Sequence, residues 1–348
     1  MPESYLRRKR QTAHLFSFLC LSAGLAALVP AHAFAAVYRV GPDQSLKTPS
    51  EAARVVRSGD TVQIEPKPGG YYDCAVWGAD NLTIEGIGND VLLTDKTCEG
   101  KAIFVTRGER ITIRNLTFAR ARVPDRNGAG VRAEGADLRI EKDRFTNNES
   151  AILAASSSNS HITISDSQFT SNGICTPNHC APALEVGNIS ALTISHCDIS
   201  DVRGGDAIRS QAVNTRLIGN DIKDGPTGTA AYFVELPAGG SLEMQNNLLQ
   251  RGPLPHDPPV AVRVMQGTDA HAVNVLQFSG NTLKNESHAP LTFVLNWTAT
   301  RARMENNHLP KDATLVSSSG YLWFLTKSSI HWGLDAAKEL AREVYHRL

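Results

Sequence analysis

Leu138-Arg139-Ile140-Glu141-Lys142-Asp143-Arg144-Phe145-Thr146 and, one repeat later, Ile162-Thr163-Ile164-Ser165-Asp166-Ser167-Gln168-Phe169-Thr170 share one three-part pattern. Apolar and polar residues alternate, a small polar side chain follows three positions after the last apolar anchor, and a large apolar residue comes two positions beyond. Alternation of this kind marks a half-buried strand. Working outward, the first part recurs at Leu82-Thr83-Ile84, Ile111-Thr112-Ile113, Leu192-Thr193-Ile194, Thr215-Arg216-Leu217, Leu242-Glu243-Met244, Leu276-Gln277-Phe278 and Ala302-Arg303-Met304. Periods of 20 to 50 residues signify a solenoid or a related repeat array.

Two further columns keep register with these anchors. One is small or amide-bearing: Asp143, Ser167, Cys197, Asn220, Asn247, Asn281 and Asn307, with Leu116 as the departure. The other is large and apolar: Phe118, Phe145, Phe169, Ile199, Ile222, Leu249, Leu283 and Leu309. If each repeat is one rung of a parallel coil, strands stack ~4.8 Å apart, the amide column hydrogen-bonds along the stack, and the apolar column fills the interior. A helical solenoid would need a 3.6-residue periodicity, which these segments lack. The expected fold is therefore all-β: a single-domain parallel β-helix of about nine to ten coils over residues 61–310.

The remaining segments read as ends. Residues 37–60 hold a short strand, Val37 to Val40, and a helix from Thr48 to Val56 placed to cover the first coil. Residues 311–348 hold an apolar stretch, Tyr321 to Leu325, and a helically spaced set, Leu334, Ala337, Leu340, Ala341 and Val344, expected to cover the last coil. Residues 1–36 read as a secretory signal: the basic run Arg7-Arg8-Lys9-Arg10, an apolar stretch from Leu15 to Val29, and small residues around Ala33 and Ala36. The mature chain is expected in the periplasm or outside the cell, monomeric and without a membrane span. Four of the 35 basic and one of the 35 acidic residues lie in that segment, leaving 31 against 34, a balance that argues against nucleic acid as partner.

Export makes the cysteines interpretable. Cys74 and Cys98 fall about one coil apart and Cys175 and Cys180 flank one loop, so both pairs are candidate disulfides, with Cys197 left as a buried thiol in the small-residue column. Cys175, His179 and Cys180 would form a zinc site only with a fourth ligand, which the sequence does not supply. The Asn-x-Ser/Thr sequences at Asn81, Asn115, Asn148, Asn188, Asn285 and Asn296 are read as turn and surface asparagines.

The stretch Gly59-Asp60-Thr61-Val62-Gln63-Ile64-Glu65-Pro66, then Gly69-Gly70-Tyr71-Tyr72 and the repeated Leu-Thr-Ile segments, resembles exported bacterial right-handed parallel β-helix repeat proteins of the pectate-lyase-like superfamily. The likeness covers about residues 37 to 310 and extends to Asp73-Cys74-Ala75-Val76-Trp77, to Asp125 through Gly135, and to Asp224-Gly225-Pro226-Thr227-Gly228. The resemblance implies carbohydrate chemistry, as the superfamily includes uronate lyases, polysaccharide hydrolases and C5-epimerases. Where that group would carry a His-rich strand start and a Gly-His/Lys-Ser-Arg strand, this chain has Ala183-Leu184-Glu185-Val186 and Gly205-Asp206-Ala207-Ile208-Arg209-Ser210. Pro255-His256-Asp257 resembles part of the Asp-Pro-His-Asp motif of mannuronan epimerases, with the first Asp missing. A calcium requirement is left open, because no motif specifies a metal.

Aligning the coils on their upstream strands brings Arg132, Glu185, Arg209, Glu235 and Arg263 to one lateral position, with Leu153 interrupting. The bland reading is a ladder of exposed ion pairs, each contributing ~0 to 1 kcal/mol. The functional reading is a groove for an acidic polysaccharide, with His179, Glu185, Asp206 and Arg209 as catalytic candidates and Asp125, Asn127, Arg132, Tyr232, Glu235 and Arg263 as substrate contacts. Uronate elimination or epimerisation needs the carboxylate neutralised so that C5–H becomes acidic, and a base to take that proton. Hydrolysis instead needs two carboxylates across the scissile bond, which Glu185 and Asp206 would supply from adjacent coils. Tyr232 is a candidate stacking platform or acid. The alternative function is a non-catalytic exopolysaccharide-binding or envelope scaffold.

Overall fold

A computed structural model describes residues 35–177, 179–254, 259–265, 271–287 and 289–317. These residues wind into about ten coils whose strands form three parallel sheets of 11, 8 and 10 strands. The first sheet holds the Leu-Thr-Ile strands, and the anchors pair in sequence: Ile84 with Ile113, Ile113 with Ile140, Ile140 with Ile164, Ile164 with Ile194, and onward to Met304. The second sheet carries the large apolar column, with Phe145 beside Phe118 and Phe169. Their rings stack at 5.1 Å and 5.0 Å between centroids, inside the core. Both columns therefore occupy the places their spacing assigned to them.

The small-residue column forms the turn between these two sheets. Leu116 N donates to Asp143 Oδ1 at 2.7 Å, Asp143 N to Ser167 Oγ at 3.1 Å, and Cys197 N to Asn220 Oδ1 at 3.0 Å. The chain continues through Asn247, Asn281 and Asn307, each amide also donating to a strand carbonyl in the coil before it. The residue just before each ladder position, from Asn115 through Lys142, Asp166, His196, Gly219, Asn246 and Gly280 to Asn306, has positive φ. Asn, Asp and Gly tolerate that left-handed backbone best, which accounts for their frequency at this point of the repeat.

Asp143 is the poor fit in the ladder. Its Oδ2, in the place where the asparagines carry a donor, is buried with no hydrogen-bond partner, and burial raises the carboxyl pKa well above the ordinary value. An acid held neutral in the folded state stabilises the fold below its unfolded pKa of ~3.9, and that contribution is lost as pH rises toward the folded pKa. Asp143→Asn should therefore raise stability at pH 7 by ~1 to 3 kcal/mol and flatten its pH dependence, as measured by urea unfolding between pH 4 and 8. An unchanged pH profile would remove Asp143 as the cause.

Cys74 is bridged to Cys98 and Cys175 to Cys180, as expected. Cys197 is free and buried, and burial pushes its thiol up to about 12, so it is an inert member of the ladder. Bridged thiols leave Cys175 and Cys180 with no zinc role.

Three expectations change. The N-terminal helix is shorter, Pro49–Ala53, capped by the Thr48 hydroxyl, with Ala52 in the core. Asn148 and Asn296 are buried rather than surface asparagines. Asn148 accepts from Ala121 N at 2.9 Å and is followed by Asn172, a second and shorter ladder where the second sheet leaves for the third. Asn296 instead folds a local turn, accepting from Thr298 N and donating to Thr300 O. The signal-like residues up to Phe34, the 321–325 stretch and the 334–348 helical pattern lie outside the described residues. No helix among the described residues is long and apolar enough to cross a membrane.

Candidate functional site

The third sheet carries the charged column on its outer face. Val105 pairs with Arg132, Arg132 with Leu153, Leu153 with Glu185, Glu185 with Arg209, Arg209 with Glu235 and Glu235 with Arg263, so the lateral alignment read from the sequence holds. Residues on either side of each, such as Leu184 and Val186 or Ile208 and Ser210, point inward and are buried. Strand alternation thus forces the charges outward.

The column is not a ladder of exposed pairs, because loops bury its middle. Asp206 and Glu235 are each only 1% exposed. Arg209 Nε donates to both Asp206 Oδ2 and Glu235 Oε2 at 2.9 Å, and Glu235 Oε1 accepts from Arg263 Nη2. Arg263 lies over the Tyr232 ring, 4.1 Å from its centroid, which turns Tyr232 from a stacking platform into a floor for a guanidinium. Burial holds the Asp206 carboxyl above its usual range despite the opposing pull of Arg209 and Arg263, and burial lowers the pKa of Arg263. Asp206 is thus an acid of this cluster that burial favours in protonated form.

Two features leave the cluster chemically open. Arg209 is anchored through Nε, and its two terminal nitrogens carry no partner among the described residues. Glu185, next to Arg209 in register and half-buried, makes no ion pair among the described residues. A fixed guanidinium fork with free outer donors is suited to a bidentate oxyanion. The adjacent carboxylate is free to accept a proton.

The other candidates stand elsewhere. His179 sits on a hairpin, Ile174–Thr176 with His179–Ala181, where its backbone bonds Thr176 and its ring makes no hydrogen bond or ion pair with the cluster. The hairpin base does reach the site indirectly: Gly205 N donates to Cys175 Sγ at 3.2 Å. Gly204, at φ 148°, leaves room that a Cβ would fill, 2.6 Å from Cys175 N. Arg132 lies 3.9 Å from Glu134, two coils before Glu185, and Asp125 and Asn127 make no contact with the cluster. Asp206, bound to Arg209 and buried, does not face Glu185 across an open cleft as a hydrolytic pair would. His256 and Asp257 lie outside the described residues.

Sequence reasoning missed Arg251. It is fully buried under the site, over the Phe233 ring at 4.1 Å, and donates to the carbonyls of Ala230 and Val260, both at 2.7 Å, and to Asp224. In this way it fixes the loop that delivers Tyr232 and Glu235. The available signal was register: Arg251 follows Gln250, which pairs with Lys223, so it falls in line with the opposite charge of Asp224 on the previous coil.

Residues 71–222 match the family described as right handed beta helix region. No curated protein sequence matches the chain. Among solved structures, pectate lyase Pel9A shares 12% identity, covering 80% of this chain and 78% of its own, with a TM-score of 0.54. An alginate lyase from Paenibacillus sp. strain FPU-7 shares 14% identity, covering 77% of this chain and 94% of its own, with a TM-score of 0.52. At such identities the likeness is one of fold. With its three parallel sheets and internal ladder, the chain has a right-handed parallel β-helix fold.

Proposed function

We propose that the third-sheet face binds an acidic polysaccharide and acts on a uronate residue by removing its C5 proton. The observation that carries this is Arg209, held through Nε by two buried carboxylates, with no partner for its outer edge among the described residues. Its terminal nitrogens pair with the uronate carboxylate and stabilise the charge that develops when C5–H is broken. Glu185 takes that proton. The electron pair left on C5 then either expels the C4 oxygen, which takes a proton from water, giving an unsaturated uronate, or takes a proton from water on the opposite face, giving the epimer. The lyases of similar fold support the substrate class, and the two disulfides together with the signal-like N-terminus support a periplasmic or extracellular site of action.

A second reading is binding without turnover. It is favoured by the position of His179, which is not held against the cluster and so supplies no proton to a leaving oxygen there.

The test is a screen of polygalacturonate and alginate for ultraviolet-absorbing unsaturated ends, for C5 deuterium exchange in heavy water, and for reducing ends. Glu185→Gln should keep binding and lose ~10²- to 10⁴-fold in turnover, while Arg209→Ala should lose both. Binding by the parent without any product supports the scaffold reading. Arg209→Ala with binding and turnover intact would place the site elsewhere.

A further inference from the structure

A second cluster of positive charge lies away from Arg209, on the loops that lead from the second sheet to the third. Arg122 donates to the Asn147 carbonyl at 2.6 Å and to Asn147 Oδ1 at 2.9 Å. Arg203, three coils beyond Arg122, donates to that same Oδ1 at 2.9 Å. Two guanidinium groups therefore share one neutral oxygen. Arg126 completes the group, 3.6 Å from Glu149 Oε1.

The acids nearby offset only part of this charge. Glu149 is buried and uses its other oxygen to hold the loop, accepting from Val123 N at 3.0 Å and Gly128 N at 2.9 Å. Asp95 is taken by Arg120 in a two-point pair, Asp201 is engaged by Ser171 and Thr227, and Asp125 forms no ion pair. Burial pulls the Arg122 pKa down, Arg203 and Arg126 push it the same way, and Glu149 and Asp95 act against them. Two guanidinium groups meeting on one neutral amide, with Glu149 the acid that pairs with the third, leave a net positive charge that an anion from outside the chain would relieve. Among the described residues Arg203 makes one side-chain hydrogen bond and Arg126 the long contact to Glu149, and both side chains are exposed.

We propose that Arg122, Arg126 and Arg203 form a second oxyanion site, built to take a carboxylate or sulfate group of a polysaccharide chain. The loop that carries Arg126 runs directly into the strand Ala129–Ala133, which bears Arg132 and starts the charged part of the third-sheet face. This site extends the acidic-polysaccharide reading but does not depend on Arg209 or on turnover.

The test uses the whole chain and inorganic sulfate, with chloride at equal ionic strength as control. Arg126→Gln/Arg203→Gln is the variant, because both side chains are exposed, whereas Arg122 also fixes the loop backbone. The parent should show a sulfate-dependent rise in melting temperature beyond that in chloride, and the variant should bind sulfate at least ~10-fold more weakly, since each charge-assisted bond to an oxyanion contributes about that much or more. If the double variant fails to fold, Arg126→Gln alone carries the same comparison. Slower migration of the parent than of the variant through gels containing polygalacturonate or dextran sulfate would support the site and tell carboxylate from sulfate ester. Sulfate no better than chloride, equal affinity in parent and variant, or sulfate binding lost only in Arg209→Ala would each overturn it.

Discussion

Phe145→Ala is expected to lower the unfolding free energy by ~3 to 5 kcal/mol, the range for a buried aromatic cut to Ala. The ring is 1% exposed and stacks between Phe118 and Phe169, so its removal breaks a continuous apolar column in mid-stack. Local collapse cannot fill the gap easily. Gly130 lies on the opposite wall, where even a Cβ would come 2.8 Å from the Phe145 ring, so at that point the wall is bare backbone. Urea unfolding followed by circular dichroism measures the loss, and Phe145→Leu should recover part of it. A midpoint equal to the parent's would contradict the packed interior.

Asn247→Ala should cost about 2 to 4 kcal/mol although it removes only a short polar side chain. Asn247 Oδ1 accepts from Asn220 N at 2.9 Å and Asn220 Nδ2 at 3.0 Å, while its Nδ2 donates to Leu217 O at 3.0 Å and Asn281 Oδ1 at 2.9 Å. Truncation strands buried groups on both neighbouring coils, and each of them then bears a desolvation cost. Asn188→Ala, at an exposed loop asparagine whose side chain makes no hydrogen bond, is the control and should stay within ~0.5 kcal/mol of the parent. Equal effects for the two would mean that the ladder is ornamental.

Those two positions also show what the sequence makes legible. Phe145 and Asn247 belong to columns that recur coil after coil, because each rung must fill the same interior and turn the same corner. The lateral alignment of Glu185, Arg209 and Glu235 was readable for the same reason, since alternation fixes which side chains face out. Their burial was not. It depends on the loop carrying Tyr232, on the hairpin set against Gly204 and Gly205, and on Arg251 beneath, and none of these repeats from one coil to the next. Asn148 and Asn172 escaped notice likewise, because their ladder spans few coils and starts from irregular loops.

The pairing of Ile140 with Ile164 and of Ile164 with Ile194 has an evolutionary consequence. Each coil closes on its neighbours through the same three contacts however long its loops are, so a whole rung is a unit that duplication or deletion can add or remove without misaligning those above and below. A lineage built this way can lengthen its outer face one rung at a time. It can also revise the loops that line that face while the backbone beneath stays as it was.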